Sequence, residues 1–203
     1  MPQFAGGLHL GFNDPDGMRQ NPVTGNRGID PVPARGVDGR IRSSSNPNIG
    51  KYGLTRTDKK GNPKQHNGLD VNAKQGTKVR AAEAGTVTSV GKKGDYGNQV
   101  EIKHTSGETT SYSHLSGSSV QAGQTVREGQ VIGEAGTTGN AAGLTPDQQH
   151  LHLEVRDSSG NRTDPEAWLN DPNADPAALP PESDTAAPAG EDPKGVTKSP
   201  ERI

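Results

Sequence analysis

Two of the chain's six histidines stand two apart in the stretch Gln149-His150-Leu151-His152-Leu153-Glu154-Val155. In a β-strand, side chains alternate between faces with a rise of about 3.3 Å per residue. His150 and His152 therefore share one face about 6.6 Å apart, and Leu151, Leu153 and Val155 share the other. The plain alternative is a half-buried strand whose solvent side happens to carry imidazoles. A second stretch, Gln65-His66-Asn67-Gly68-Leu69-Asp70-Val71, sets a histidine and an aspartate four apart. Asn67 and Gly68 disfavour a helix there, and Leu69 and Val71 flank Asp70 with strand alternation. The pattern predicts a loop ending in a strand, with Asp70 turned away from the leucine–valine face and toward His66. With His152 this makes two imidazoles and a carboxylate, a set that suits a catalytic Zn²⁺ with one coordination position left for water. A third stretch, Ser111-Tyr112-Ser113-His114-Leu115, reads as a strand in which Tyr112 faces opposite to His114. If His114 shares a sheet face with His150, two further imidazoles flank the metal, and an ordinary pKa of about 6.5 suits them to proton transfer near neutrality.

The elements that must position these groups are short alternating runs broken by glycine turns. Strands are predicted over 85–90, 98–103, 109–115, 130–134 and 150–155, spaced as in an all-β sandwich or barrel. The segments EAGTV, QAGQTV and REGQVI repeat a glycine ahead of an inward apolar residue, which suits a compact antiparallel β-roll with sharp corners. Asp164-Pro165-Glu166-Ala167-Trp168-Leu169 closes this region, with the chain's only tryptophan as a packing anchor. On either side the pattern fails. Residues 1–47 form an irregular arm rich in Gly, Pro, Asn and Arg, and residues 171–203, with seven prolines, form a Pro/Ala/acidic tail that reads as disordered. The folding unit is expected over 48–170.

Composition narrows the chemistry. Hydrophobic residues make up 27% of the 203-residue chain and aromatics 3%, so only part of it can build a core. There is no cysteine, which excludes disulfides, thiol nucleophiles and thiolate metal sites and leaves His, Asp and Glu as ligands. The net charge of −2 divides into +1 over 1–47, +1 over 48–170 and −4 over 171–203. Without a basic stripe or interleaved aromatics, nucleic acid is not an expected partner. No apolar run approaches the roughly 18 residues needed to span a bilayer, and the N-terminus lacks the basic start and apolar core of a secretory signal.

Across residues 48–170 the sequence resembles the lysostaphin-like, LytM-type peptidoglycan metallopeptidases. The shared landmarks are, in order, Lys51-Tyr52-Gly53, His66-x-Gly68-x-Asp70, Gly76-Thr77-x-Val79-x-Ala81 continuing to Gly85-x-Val87, and Tyr96-Gly97-Asn98. They continue through Tyr112-Ser113-His114-Leu115, Gly123-x-x-Val126-x-x-Gly129-Gln130-x-Ile132, Thr137-Thr138-Gly139-Asn140 and His150-Leu151-His152. The resemblance implies an all-β, LytM-type fold with a groove over one Zn²⁺ per chain held by His66, Asp70 and His152. It implies that His114 and His150 act in catalysis. The implied reaction is hydrolysis of a peptide bond in bacterial peptidoglycan, either a D-amino-acid cross-link or a glycine bridge. Tyr96, Asn98, Thr138 and Asn140 are expected to line the substrate groove. One departure is the link Ala141–Gln149, longer than is usual in this family and without its proline next to the histidine, which alters a groove wall.

Two rival readings use the same residues. Some relatives of this kind lack metal ligands and regulate other cell-wall enzymes, so a non-catalytic binding module is the first. A lipoyl- or biotinyl-carrier-like domain is the second, although Lys92-Lys93 lacks the flanking pattern of a modified lysine. His104 is expected beside a hairpin turn and His9 in the irregular arm, neither with a chemical role. An enzyme of this class works in the periplasm or cell wall. Without a signal peptide it would reach that place as a type VI secretion effector, with the secretion machine and a neutralising immunity protein as partners. Release as a phage lytic enzyme, or loss of the natural N-terminus from the chain, accounts for the missing signal equally well.

Overall fold

The computed structural model describes residues 31–32 and 49–169. Apart from Pro31 and Val32, the expected arm over 1–47 and tail over 171–203 lie outside the described residues. Eleven strands and one short helix follow in chain order: β1 (Gly53–Thr57), β2 (Pro63–His66), β3 (Leu69–Asn72), β4 (Lys78–Arg80), β5 (Gly85–Lys92), β6 (Asn98–His104), β7 (Thr109–Ser118), β8 (Thr125–Val126), β9 (Val131–Ala135), β10 (His150–Arg156), β11 (Arg162–Thr163) and α1 (Pro165–Leu169). All the pairings are antiparallel. The main sheet runs β11-β10-β7-β6-β5-β8, with β3 added to β10 and β9 joining β7 to β4, while β1 and β2 form a separate hairpin. No helix among the described residues is long and apolar enough to cross a membrane.

The core follows from strand alternation. Leu69 and Val71 of β3 pair with Leu153 and Leu151 of β10, and all four are buried. The same register sets Asp70 opposite His152 and Asn72 opposite His150 on the other face. The apolar pairing thus fixes the polar one, because a one-residue slip would exchange the two faces. Val32 is fully buried in this core, and Pro31 O accepts the Arg80 backbone N–H at 2.8 Å. Trp168 is buried as expected, and stacks on His104 with ring centroids 5.8 Å apart. His104 does flank the turn between β6 and β7, but its ring points inward. Its Nδ1 lies 2.9 Å from Ala84 O and its Nε2 2.9 Å from Thr110 Oγ1.

Regular pleating would place Tyr112 and His114 on one face, since residues two apart share it. A β-bulge separates them. Asn98 faces Leu115 while Val100 faces Tyr112, so β7 uses an extra residue against β6. His114 takes up the difference at φ 64°, the non-glycine residue with positive φ among the described residues. Tyr112 consequently stays in the core, where Ala82 N–H donates to its hydroxyl at 2.9 Å, and His114 emerges on the histidine face.

Gly68 shows how closely the site is built against this sheet. A Cβ there would collide with Leu153 O and lie 2.8 Å from Cε1 and 2.9 Å from Nε2 of His152. Gly68→Ala should therefore cost about 1–3 kcal/mol and displace the His152 ring. Urea denaturation of the two proteins measures the first effect, and a stability equal to the parent would show that the turn yields without cost.

Candidate functional site

His66 ends β2, Asp70 lies in β3 and His152 in β10, and one ligand atom from each lies within 4.8 Å of the others. His152 Nδ1 is 2.8 Å from Asp70 Oδ1 and 3.2 Å from His66 Nε2, which is itself 3.2 Å from Asp70 Oδ1. All three are buried. His114 and His150 stand beside them, their rings edge to face at 5.2 Å, and His150 Nε2 is 3.5 Å from Asp70 Oδ2.

Hydrogen-bond partners fix which nitrogen of each ring is available. A carbonyl oxygen only accepts, so His66 donates Nδ1–H to Lys51 O at 2.7 Å, His114 to Thr138 O at 3.0 Å and His150 to Gln148 O at 2.8 Å. Each neutral ring is left with its Nε2 lone pair toward the centre. His152 is turned the other way. Its Nε2 lies 3.4 Å from Glu154 Oε1, leaving Nδ1 for the centre. Two ring nitrogens and one carboxylate oxygen, with the distal N–H groups held by acceptors, form a donor set able to hold a metal ion.

Burial pushes the Asp70 carboxyl up, but the His152 and His66 rings against it and the neighbouring imidazoles outweigh it and hold it well below the usual carboxylate range. Burial likewise opposes ionisation of Glu154, yet its bonds to His152 and Tyr96 and the charge of Arg162 bring it down to about 2. His152, between these carboxylates, is raised despite its burial. His114 moves the opposite way: burial, reinforced by His150 and His152, lowers it to about 4, so it is neutral at neutral pH.

The open groove of about 260 Å³ is lined by Arg56, Asp70, Tyr96, His114, Asn140, Leu144, His150 and His152. Of the four residues expected to line it, Tyr96 and Asn140 do so. Asn98 and Thr138 are instead engaged beneath it: Thr138 Oγ1 accepts the Asn98 N–H and donates to Leu115 O, and Asn98 Nδ2 donates to Leu115 O and Ser116 O. They brace the His114 bulge. Leu144, from the 141–149 link, also lines this groove.

Sequence reasoning missed Glu154 and Arg56. Glu154 continues the same-face series His150, His152, so alternation could have found it. It is buried, accepts from Tyr96 Oη at 2.8 Å and Arg162 Nε at 3.1 Å, and holds His152. Arg56 lies on the separate hairpin, where no periodicity links it to the site. Its Nη2 is 2.5 Å from Asp70 Oδ2 and 3.0 Å from His66 Nε2. The segment before β1 braces this corner with successive carbonyls. Ile49 O accepts Arg56 Nε–H at 3.0 Å, Gly50 O accepts Asp70 N–H at 2.8 Å, and Lys51 O accepts the His66 ring.

The comparisons with known proteins bear on the same residues. The model of Peptidase family M23 matches residues 64–165, about half of the chain and a span that contains all five histidine and aspartate positions. The DD-carboxypeptidase/endopeptidase Mpg of Neisseria meningitidis serogroup B is 50% identical over 91 residues, 45% of this chain and 20% of that protein. The chain thus spans about a fifth of that relative's length. A zinc-containing peptidase from Vibrio cholerae superposes with a TM-score of 0.54 at 31% identity, covering 68% of this chain and 39% of that one. The catalytic domain of the prophage-encoded M23 protein EnpA from Enterococcus faecalis gives 0.52 at 26% identity, covering 68% and 97%. With its sheet, its motif spacing and its matched span in agreement, the chain belongs to peptidase family M23.

Proposed function

We propose that this chain is a zinc-dependent endopeptidase that hydrolyses peptide cross-links of bacterial peptidoglycan. The observation that carries the reading is the His66–Asp70–His152 trio with the imidazoles of His114 and His150 beside it. That assembly is what a non-catalytic binding module has no need to keep, and the DD-carboxypeptidase/endopeptidase named among the relatives supports a cell-wall peptide as substrate. The site of action is then the periplasm or cell wall. Delivery by type VI secretion, with a neutralising immunity protein as partner, and release as a phage lytic enzyme are both compatible with this chemistry.

His66 through Nε2, Asp70 through Oδ1 and His152 through Nδ1 would hold the ion. When bound, Zn²⁺ supplies Lewis acidity to a water and to the scissile carbonyl. His114 and His150 each keep a proton at Nδ1 on a backbone carbonyl, so each accepts a proton at Nε2. Once protonated there, the ring donates to the developing oxyanion or to the leaving amine. Glu154 keeps the proton of His152 on Nε2 and therefore keeps Nδ1 free for ligation. Tyr96 and Arg162 hold Glu154 in place for that task.

Purified protein is expected to contain one zinc per chain and to release new amino termini from purified peptidoglycan, with activity lost to a chelator and restored by zinc. His114→Ala and His150→Ala should keep the metal and lose turnover by roughly 10²–10⁴-fold, while His152→Ala loses both. Equal metal loss in all three would overturn the division of roles. Glu154→Gln should raise the zinc Kd about 10–100-fold with the circular dichroism spectrum retained. An unchanged Kd in competition with a chromophoric chelator would remove Glu154 from the metal site.

A further inference from the structure

Among the described residues, Arg56 is the one guanidinium in the groove lining, and its ion pair with Asp70 does not use all of its N–H donors. It is 27% exposed and tethered at both ends of its guanidinium, by Nε to Ile49 O and by Nη2 to Asp70 Oδ2. Its tether belongs to the same 49–51 backbone segment that fixes Asp70 and His66, so its position is set with the ligands rather than by the solvent. Nη1 has no partner among the described residues.

The charge balance around it then indicates what Arg56 meets. Among the described residues, Asp70 is the only carboxylate in the groove lining, and a divalent ion held by Asp70 leaves that corner positive before Arg56 is counted. His66 Nε2 has one lone pair, which serves either the guanidinium or an ion. With His66 ligating, Arg56 gives up that contact, keeps its hold on Ile49 O, and faces the groove with N–H donors to spare. A planar guanidinium in this setting matches a carboxylate through two parallel hydrogen bonds, which an uncharged peptide segment does not offer.

We infer that Arg56 anchors a free carboxylate of the substrate, carried by the residue that contributes the nitrogen of the scissile amide. The inference rests on the peptidase reading above and narrows it. A C-terminal residue supplies such a carboxylate, and so does a diamino diacid joined through one of its amines. A polyglycine bridge does not, because its internal residues have no free carboxylate.

The test uses the full chain loaded with zinc and peptides whose leaving residue is D-alanine or diaminopimelate, each as the free acid and as the carboxamide. Ketomethylene analogues of the same peptides report binding without turnover. The parent should favour acid over amide by roughly 10-fold or more in kcat/KM and in analogue Kd. Arg56→Gln should bring both ratios close to one, and Arg56→Lys, which keeps the charge without the fork, should lie between. An acid-to-amide ratio of one in the parent, or a ratio undiminished in Arg56→Gln, overturns the assignment; the latter would include a carboxylate that binds the zinc directly. Comparison of the D-alanine and diaminopimelate series identifies which source of carboxylate is read. If no peptide is cleaved but the analogues show the Arg56-dependent ratio, the hydrolase reading fails and the carboxylate site stands.

Discussion

Asp70 and His152 face each other across the β3–β10 pairing, 2.8 Å apart and buried, and the rest of the site is arranged around that contact. A buried carboxylate is costly unless positive charge and hydrogen-bond donors surround it. Here they come from β10 and from the separate β1–β2 hairpin: His152 from β10, His66 from β2 and Arg56 from β1. Glu154 repeats the device one step further out. Tyr96 and Arg162 keep it ionised, and it in turn decides which nitrogen of His152 points inward. The orientation of His152 is therefore set from behind, by Glu154 and the Arg162 that holds it.

The second constraint is the β7 bulge. A histidine in the left-handed region is under local strain, which persists only where surrounding structure enforces it. The enforcing contacts are Thr138 and Asn98, which tie the backbone just after His114 at Leu115 and Ser116, and Thr138 O, which accepts from the His114 ring. Two close turns supply these residues. A Cβ at Gly97 would collide with Thr138 Oγ1 and one at Gly139 with Asp95 O, so the glycines of the two landmark motifs permit the approach that holds His114 in place.

Much of the site was readable because strand alternation converts spacing directly into facing. His150 with His152, and Leu69 and Val71 flanking Asp70, were legible for that reason, and Glu154 obeys the same period. The facing of Tyr112 and His114 is a different case. The expectation that they oppose one another holds, but only through an inserted residue that periodicity does not announce. Arg56 reaches the site through tertiary packing of the separate β1–β2 hairpin, and a sequence offers no register between elements that do not pair. Asn98 and Thr138 lie in motifs that resemblance assigned to the groove, whereas their hydrogen-bonding capacity is spent on backbone. For turn residues, the carbonyls and amides left unpaired by the fold decide their task, and those are not visible until the strands are paired.

The central claim is that the β3–β10 pairing and the 49–51 backbone brace together present His66 Nε2, Asp70 Oδ1 and His152 Nδ1 to one metal ion. Anomalous diffraction at the zinc edge from crystals of the zinc-loaded chain tests it most directly. The account predicts a single strong peak bonded to those three atoms, with His152 Nε2 still on Glu154 and the Arg56 guanidinium released from His66 Nε2. A peak ligated by His114 or His150 in place of His152, or by the opposite nitrogen of His152, would contradict it.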